Sequence, residues 1–353
     1  MPGSLPREWE LADLHDEVGD LPIAALACDA DRTWLGDQLV RMRDGARAGT
    51  RPYRLVQDGP LDRYDHTPLF RPRSGSRFAA TDLVDEARID SHRALLTAYE
   101  RLGPTSVPLQ LSRPCYLDTA LFTVAGKPTW RRPLRTLNGA RLAVRNLTAY
   151  RDAARREIGA VRDHAATMGL AKSLRWSLET PGVLYALSFP LGPARPLVLR
   201  WLAALVVDAL SDLPDGRAVL HLCYGRLNGE AIAQPADTAP ITEFLTALGP
   251  ALRRMGVRRP AVHVPVLVGS GTPPLDPAYY ESLAALDKDW RLIAGVAHPE
   301  AVEDSSVALR LLERAWGQPV WGVSTSCGWG DWDPARARRA LAVLRVLHTQ
   351  PVS

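Results

Sequence analysis

Short apolar runs rich in Val, Ile and Leu alternate with long amphipathic stretches along most of the chain. The short runs predict strands and the long stretches predict helices, because apolar positions recur with different periods in the two kinds of element. The candidate strands are Ile23–Cys28, Tyr53–Gln57, Val107–Ser112, Ser173–Thr180, Arg217–Cys223, Ala261–Val268, Arg291–Ala297 and Pro319–Thr325. The candidate helices are Thr81–Leu102, Leu137–Met168, Pro196–Leu213, Thr238–Met255, Ala301–Trp316 and Pro334–His348.

Strands that alternate with helices in this way predict an α/β protein with a parallel sheet. The later strands are apolar almost throughout, as strands covered on both faces are. About eight strand–helix units in 353 residues fit a single (β/α)8 TIM barrel. A doubly wound open sheet is the alternative, which the lack of a GxGxxG turn after any strand weakens. Asp333-Pro334 predicts a capped start of the last helix.

The N-terminal part is less regular. Residues Arg51–Arg77 contain clustered Pro, Arg, Asp and Gly with little periodicity, which is typical of a loop. We therefore divide the chain into an irregular segment, residues 1–80, packed on or entering the barrel, and a barrel over residues 81–353. No linker-like stretch splits the chain into separate domains.

Composition and charge exclude several classes of protein. With 46% apolar and 23% charged residues, the chain can bury a full core, which excludes disorder as its main state. No run approaches the roughly 18–20 apolar residues of a membrane helix, and no apolar signal core follows Met1, so we expect a cytoplasmic protein without membrane contact. The net charge is +4, but the arginines are scattered in short groups, so we expect no nucleic-acid partner.

The four cysteines, Cys28, Cys115, Cys223 and Cys327, lie far apart in the sequence. This spacing does not predict a disulfide framework, and a cytosolic setting would keep the thiols reduced. Reduced cysteines can act as metal ligands or nucleophiles. We interpret Cys28 and Cys115 as small buried apolar residues instead.

Ligand-type side chains occur at four successive predicted strands. His221 and Cys223 end one strand, His263 lies in the next, His298 follows the third and Cys327 follows the last. In a β/α barrel the functional groups lie at the carboxyl ends of the strands, and residues two apart on a strand face the same side. Catalytic zinc has three protein ligands and one open position. His221, Cys223 and Cys327 supply three ligands, and His263 supplies a fourth or is displaced.

These residues also carry a family resemblance. The segments Ala218-Val-Leu-His-Leu-Cys-Tyr-Gly225 and Ser326-Cys-Gly-Trp-Gly330 resemble the C-terminal catalytic barrel of cobalamin-independent methionine synthase. That barrel belongs to the uroporphyrinogen decarboxylase and methionine synthase-like superfamily. The likeness runs from about Arg175 to His348, roughly half of the chain. It implies a single-barrel relative of the synthases that binds zinc through the matching His-x-Cys pair and the Cys before Gly.

The resemblance implies further site residues. Glu179, within a Leu-Glu-Thr-Pro-Gly segment, matches the acid that holds the amino group of the thiol amino acid. His298, within Val-Ala-His-Pro, matches the histidine that donates a proton. Tyr224 and Trp329, adjacent to the ligands, are candidate substrate-binding residues.

The sequence departs from the family at three points. The family's third zinc ligand is a Glu on the strand after His-x-Cys, where this chain has no acid and His263 is the nearest ligand-type residue. The family's Gly-Ser-Phe-Pro segment has no clear counterpart. The length allows one barrel and not the duplicated barrel of the long synthases, which argues against a polyglutamylated folate donor.

Together these features predict zinc-dependent transfer of an alkyl group, usually methyl, from an activated donor to a small thiol. Only a thiolate attacks, and zinc coordination removes the thiol proton at neutral pH. The alternatives are a zinc-assisted lyase or decarboxylase, a specialised transferase of secondary metabolism from the same superfamily, or a non-catalytic barrel with a closed structural zinc site. The closed site would use His221, Cys223, His263 and Cys327 together.

Overall fold

The strands of the protein are short and alternate with helices. The computed structural model describes residues 3–29, 33–73, 77–127, 133–213, 217–267, 269 and 271–349. In chain order the strands are β1 (Leu26–Cys28), β2 (Tyr53–Gln57), β3 (Leu69–Pro72), β4 (Leu109–Pro114), β5 (Leu174–Thr180), β6 (Ala218–Leu222), β7 (Ala261–Pro265), β8 (Arg291–Ala297) and β9 (Gly322–Thr325). The predicted strand end at Val268 lies outside the described residues.

Seven of these strands form one curled, all-parallel sheet in the order β1-β4-β5-β6-β7-β8-β9. Apart from the hairpin strands, neighbours in the sheet follow each other along the chain. This order is that of a β/α barrel and lacks the reversal of a doubly wound sheet. The predicted α/β class and parallel sheet are therefore confirmed. Within the described part of the chain no pairing joins β1 to β9, so the sheet has seven strands rather than the eight of a complete barrel.

The predicted strand Tyr53–Gln57 exists but belongs to a different sheet. It pairs antiparallel with β3 as a two-stranded hairpin, separate from the seven parallel strands. Its burial alternates along the strand, with Tyr53 buried and Arg54 and Val56 exposed. Such one-sided burial is typical of an antiparallel ribbon packed on one face, whereas β4 and β7 are buried at every residue.

The helices cover the outside of the sheet. They are α1 (Leu11–Val18), α2 (Gly36–Arg47), α3 (Ala80–Leu83), α4 (Glu86–Arg101), α5 (Tyr116–Ala120), α6 (Pro133–Thr167), α7 (Pro181–Leu187), α8 (Arg195–Ser211), α9 (Ala239–Met255), α10 (Val302–Trp316) and α11 (Pro334–His348). The predicted helix Thr81–Leu102 is divided between α3 and α4, and a 3-10 helix, Pro277–Ala285, lies between β7 and β8. The cap of α11 is confirmed, because the Asp333 carboxylate accepts the backbone N–H of Arg336 at 2.7 Å.

Helix α1 connects the two ends of the sheet. It packs against β1 and also against α11, where the Nε of Arg338 donates to Glu17 at 2.6 Å. Before α1, the backbone N–H of Trp329 donates to the Ser4 carbonyl at 2.7 Å. The first residues thus lie beside the loop that follows β9, at the carboxyl end of the sheet. Among the helices of the described residues, none combines the length and the apolar character that crossing a membrane requires.

Candidate metal centre

Three neighbouring strands place a row of polar side chains inside the sheet. Glu179 on β5 is in register with His221 on β6, which is in register with His263 on β7. Register partners of parallel strands point to the same face. All three side chains are buried, and they lie near the carboxyl ends of their strands.

Beside this row, His221, Cys223 and Cys327 form a compact group. One ligand atom from each residue lies within 4.8 Å of the other two. Cys223 directly follows β6 and Cys327 follows β9, so the sheet brings together residues about a hundred positions apart. One imidazole and two thiols are a donor set that zinc prefers, at about 2.0 Å from nitrogen and about 2.3 Å from sulfur. The residues present therefore fit a zinc ion.

The two sulfurs of the group share a proton. The hydrogen bond between them raises the pKa of Cys223, which burial raises further, and lowers the pKa of Cys327. The nearby Arg226 guanidinium also lowers the pKa of Cys327. The proton therefore stays on Cys223, and Cys327 is the thiolate of the pair.

His263 is not a member of this group, because both of its ring nitrogens have other partners. Its Nε2 lies 2.9 Å from the Thr325 carbonyl, which only accepts, so Nε2 carries a proton. Burial lowers the pKa of His263 well below its usual value, which keeps the ring neutral and its Nδ1 an acceptor. The Nδ1–H of His221 therefore donates to Nδ1 of His263 at 2.7 Å. This leaves Nε2 of His221 as the basic nitrogen, the state that a metal ligand requires.

A cavity of about 80 Å³ opens beside His221, Cys223 and Cys327. Glu179 lines it together with Asp29, which directly follows β1. Burial raises the pKa of Glu179 well above its usual value, and the nearby Asp29 raises it further. Two buried carboxyl groups so close together favour a cationic ligand group. The opposite wall is apolar and aromatic and consists of Trp34, Leu35, Leu39, Leu61, Tyr64 and Phe122.

His298 lines a second cavity of about 240 Å³. Its Nδ1 accepts the backbone N–H of Glu300 at 3.3 Å, so the proton of the neutral ring is on Nε2. Arg226 lines both cavities. Its guanidinium donates to the Gly328 carbonyl at 3.0 Å and forms an ion pair with Asp331. Arg226 therefore lies between the group of Cys223 and the side chain of His298.

Two predicted substrate-binding residues are not among the described residues that line the cavity of Cys223. Tyr224 is buried, and this burial raises the pKa of its hydroxyl, with smaller contributions from Tyr279 and Asp237. Trp329 is also buried, its indole N–H donates to Thr325 Oγ1 at 3.1 Å, and its ring stacks on Trp332.

Sequence reasoning missed residues that line the cavity. Asp29 follows the predicted strand Ile23–Cys28, so the rule that sites lie at strand ends could have identified it. Tyr64 lies within the irregular stretch before the hairpin's second strand, where no periodicity marks it. Its hydroxyl occupies the space that a side chain at Gly225 would need, and Gly225 has a φ of +73°.

Comparison of the sequence with protein-family models and with curated proteins found no match. Comparison with solved structures found matches at low sequence identity. A methyltransferase from Methanosarcina mazei superposes with a TM-score of 0.53 at 13% identity, over 96% of this chain and 84% of that one. A B12-independent methionine synthase from Shewanella sp. W3-18-1, in complex with selenomethionine, has a TM-score of 0.46 at 14% identity, over 84% and 73% of the two chains. A glycoside hydrolase family 6 enzyme from Coprinopsis cinerea has a TM-score of 0.36 at 12% identity, over 91% and 71%. This chain therefore shares the fold of the Methanosarcina enzyme.

Proposed function

We propose that the protein is a zinc-dependent enzyme that transfers a methyl or other alkyl group to a small thiol. The observation that carries the proposal is the compact group of His221, Cys223 and Cys327 beside a cavity. Three ligands leave the fourth position of a tetrahedral zinc ion to a substrate. When bound there, zinc would keep a substrate thiol in its nucleophilic thiolate form at neutral pH. The methyltransferase fold of the Methanosarcina protein agrees with this class of reaction.

The carboxyl groups of Glu179 and Asp29 orient the acceptor. Both line the cavity that contains Cys223 and Cys327. A protonated amine on the thiol substrate would offset their mutual repulsion and the effect of burial on the pKa of Glu179. The substrate class that fits is therefore a small aminothiol.

His298 supplies the proton of the reaction. As the acceptor sulfur forms its bond to the alkyl carbon, the bond from that carbon to the donor's nitrogen or oxygen breaks. The proton on Nε2 of His298 goes to the departing atom from the imidazolium form of the ring, which is left as a neutral imidazole. The Glu300 carboxylate lies 3.6 Å from Nδ1 and would stabilise that cation.

Two alternatives have less support. A closed structural site needs a fourth protein ligand, and His263 has its two nitrogens engaged by His221 and Thr325. A zinc-assisted lyase or decarboxylase would use the same three ligands, but no observation on the described residues favours it over transfer to a thiol.

Metal analysis of protein purified without chelator tests the proposal. The wild-type chain should contain about one zinc ion, and Cys223→Ser and Cys327→Ser should lose most of it. Cys115→Ala is the matched control, since Cys115 is a buried cysteine outside the group. Cysteamine should change the visible spectrum of the cobalt-substituted wild type, because a substrate sulfur enters the open position. Full zinc content in the serine variants, or a spectrum that cysteamine does not change, contradicts the proposal.

A further inference from the structure

Two hydrogen-bond donors of the 240 Å³ cavity have no acceptor among the described residues. They are Nε2 of His298 and Nε of Arg336, and both atoms are buried. The backbone N–H of Glu300 on Nδ1 makes Nε2 of neutral His298 a donor, and a guanidinium nitrogen donates in every state. An unmet buried donor costs about 1–3 kcal/mol, so such groups in proteins normally have a partner. Because both residues line the same cavity, a ligand there that accepts hydrogen bonds would provide the missing partner.

The charges around the cavity favour an anion. Arg226 forms its ion pair with Asp331, and Arg336 shares the Glu300 carboxylate with Arg339 at 3.2 Å from each. Among the described residues that line the cavity itself, two are arginines, Arg226 and Arg336, and one is a carboxylate, Asp331, so the lining carries a net positive charge. Arg226 and Arg336 both lie against the ring of Trp332, at 5.1 and 4.9 Å from its centre. The aromatic ring fixes the two cations at the cavity wall.

We propose that this cavity binds the phosphate or carboxylate group of a small molecule, with the anion accepting from Nε of Arg336 and Nε2 of His298. The cavity is far larger than the roughly 10–15 Å³ that one water molecule needs, so a ligand of several heavy atoms fits. Asp331 is 44% exposed at its rim, which provides access from solvent.

The cavity lies on the far side of Arg226 from the sulfurs of Cys223 and Cys327. If the protein transfers an alkyl group as proposed above, the anion belongs to the alkyl donor. This second step rests on the proposed function, whereas the anion site itself does not.

Calorimetric titration of the purified full chain with inorganic phosphate at low salt tests the site. The wild type should bind about one phosphate, and Arg336→Gln should weaken binding about tenfold or more, which corresponds to about 1.4 kcal/mol. Arg336→Lys keeps the positive charge but removes Nε–H and should also bind more weakly than the wild type. Arg338→Gln is the matched control, because Arg338 lies on the same helix but pairs with Glu17. Its affinity for phosphate should equal that of the wild type.

Two further measurements separate this inference from the zinc proposal. Phosphate binding should persist in Cys223→Ser whatever its zinc content, and cysteamine should not displace phosphate from the wild type. The inference is overturned if the wild type gives no saturable binding, if Arg336→Gln and Arg336→Lys both bind as the wild type does, or if cysteamine competes with phosphate. If Cys223→Ser loses zinc but still binds phosphate, the result agrees with both proposals. If the wild type binds phosphate but contains no zinc, only the zinc proposal is contradicted.

Discussion

Nδ1 of His221 lies 2.7 Å from Nδ1 of His263, whose Nε2 lies 2.9 Å from the Thr325 carbonyl. Because a carbonyl only accepts, this chain of contacts has one consistent direction when both rings are neutral, from His221 to His263 to Thr325. The strand that follows the His-x-Cys pair thus fixes the tautomer of His221.

Replacing His263 should therefore weaken metal binding without abolishing it. In His263→Ala the Nδ1–H of His221 loses its buried partner and its ring is no longer held, so zinc affinity should fall about 10- to 100-fold at an unchanged stoichiometry. His221→Ala should abolish stoichiometric binding. Competition with a coloured zinc chelator measures both affinities, and His348→Ala, on an exposed residue, should match the wild type. Loss of stoichiometry in His263→Ala would instead make His263 a ligand.

A substitution on the neighbouring strand should displace the same ring. A β-carbon at Gly295 would lie 2.9 Å from both Cε1 and Nε2 of His263. Gly295→Ala should therefore break the contact with Thr325 and reduce zinc affinity about as much as His263→Ala does. Gly322→Ala is the matched control, because nothing lies within 4 Å of its added carbon. Equal zinc affinity in Gly295→Ala and Gly322→Ala would show that the position of the His263 ring does not affect zinc binding.

Glu179 should recognise the amine of the acceptor and not its sulfur. Glu179→Gln removes the charge but keeps the shape, so affinity for cysteamine should fall about tenfold, as expected for a lost charge-assisted hydrogen bond. Affinity for 2-mercaptoethanol, which has a hydroxyl in place of the amine, should stay within about twofold. Titration of the cobalt-substituted protein with each thiol gives both values. An equal loss for the two thiols would assign Glu179 to the sulfur group instead.

Stability should fall as pH rises because of one buried carboxyl group, that of Asp118 on α5. Burial raises the pKa of Asp118 from 3.8 to about 7, although the Gly182 N–H on its carboxylate opposes the rise. The folded chain thus holds this proton up to about pH 7, whereas the unfolded chain releases it near pH 4. The contribution of this proton to the free energy of unfolding is fully present below about pH 4 and is lost as pH rises through about 7. At about 1.4 kcal/mol per pKa unit, the loss is up to about 4 kcal/mol.

Urea unfolding of the wild type and of Asp118→Asn at several pH values checks this effect. The amide keeps an oxygen for the Gly182 N–H and does not titrate. The variant should therefore gain stability relative to the wild type between about pH 4 and about pH 7. A difference that is constant with pH would mean that Asp118 is ionised throughout the range.

Local pattern was sufficient for much of the fold and for the ligand group. Apolar runs with little alternation mark strands buried on both faces, so all seven strands of the parallel sheet could be predicted to within a few residues. The helices of 15 residues or more could be predicted as well, whereas shorter ones such as α2 were missed. The pair His221-x-Cys223 needs only the two-residue period of a strand, and Cys327 needs only the rule that parallel strands end at one edge. The cap at Asp333 is also local, because its carboxylate contacts the backbone N–H of Arg336, three residues along the chain, and it was therefore predictable from the sequence.

Tertiary structure decided what depends on distant contacts. The partner of Tyr53–Gln57 is Leu69–Pro72, and an isolated strand pattern does not specify which sheet it joins. The state of His263 depends on a nitrogen of His221 and a carbonyl of β9, which its own sequence neighbours do not determine. The curvature of the sheet brings Asp29 close to Glu179. The same curvature places Arg226 where it lines both the carboxylate-lined cavity and the arginine-lined cavity. Residue spacing along the chain therefore determined which side chains reach the carboxyl edge of the sheet. The curved sheet determined which of these side chains contact each other, because such contacts depend on register and orientation across strands that are far apart in sequence.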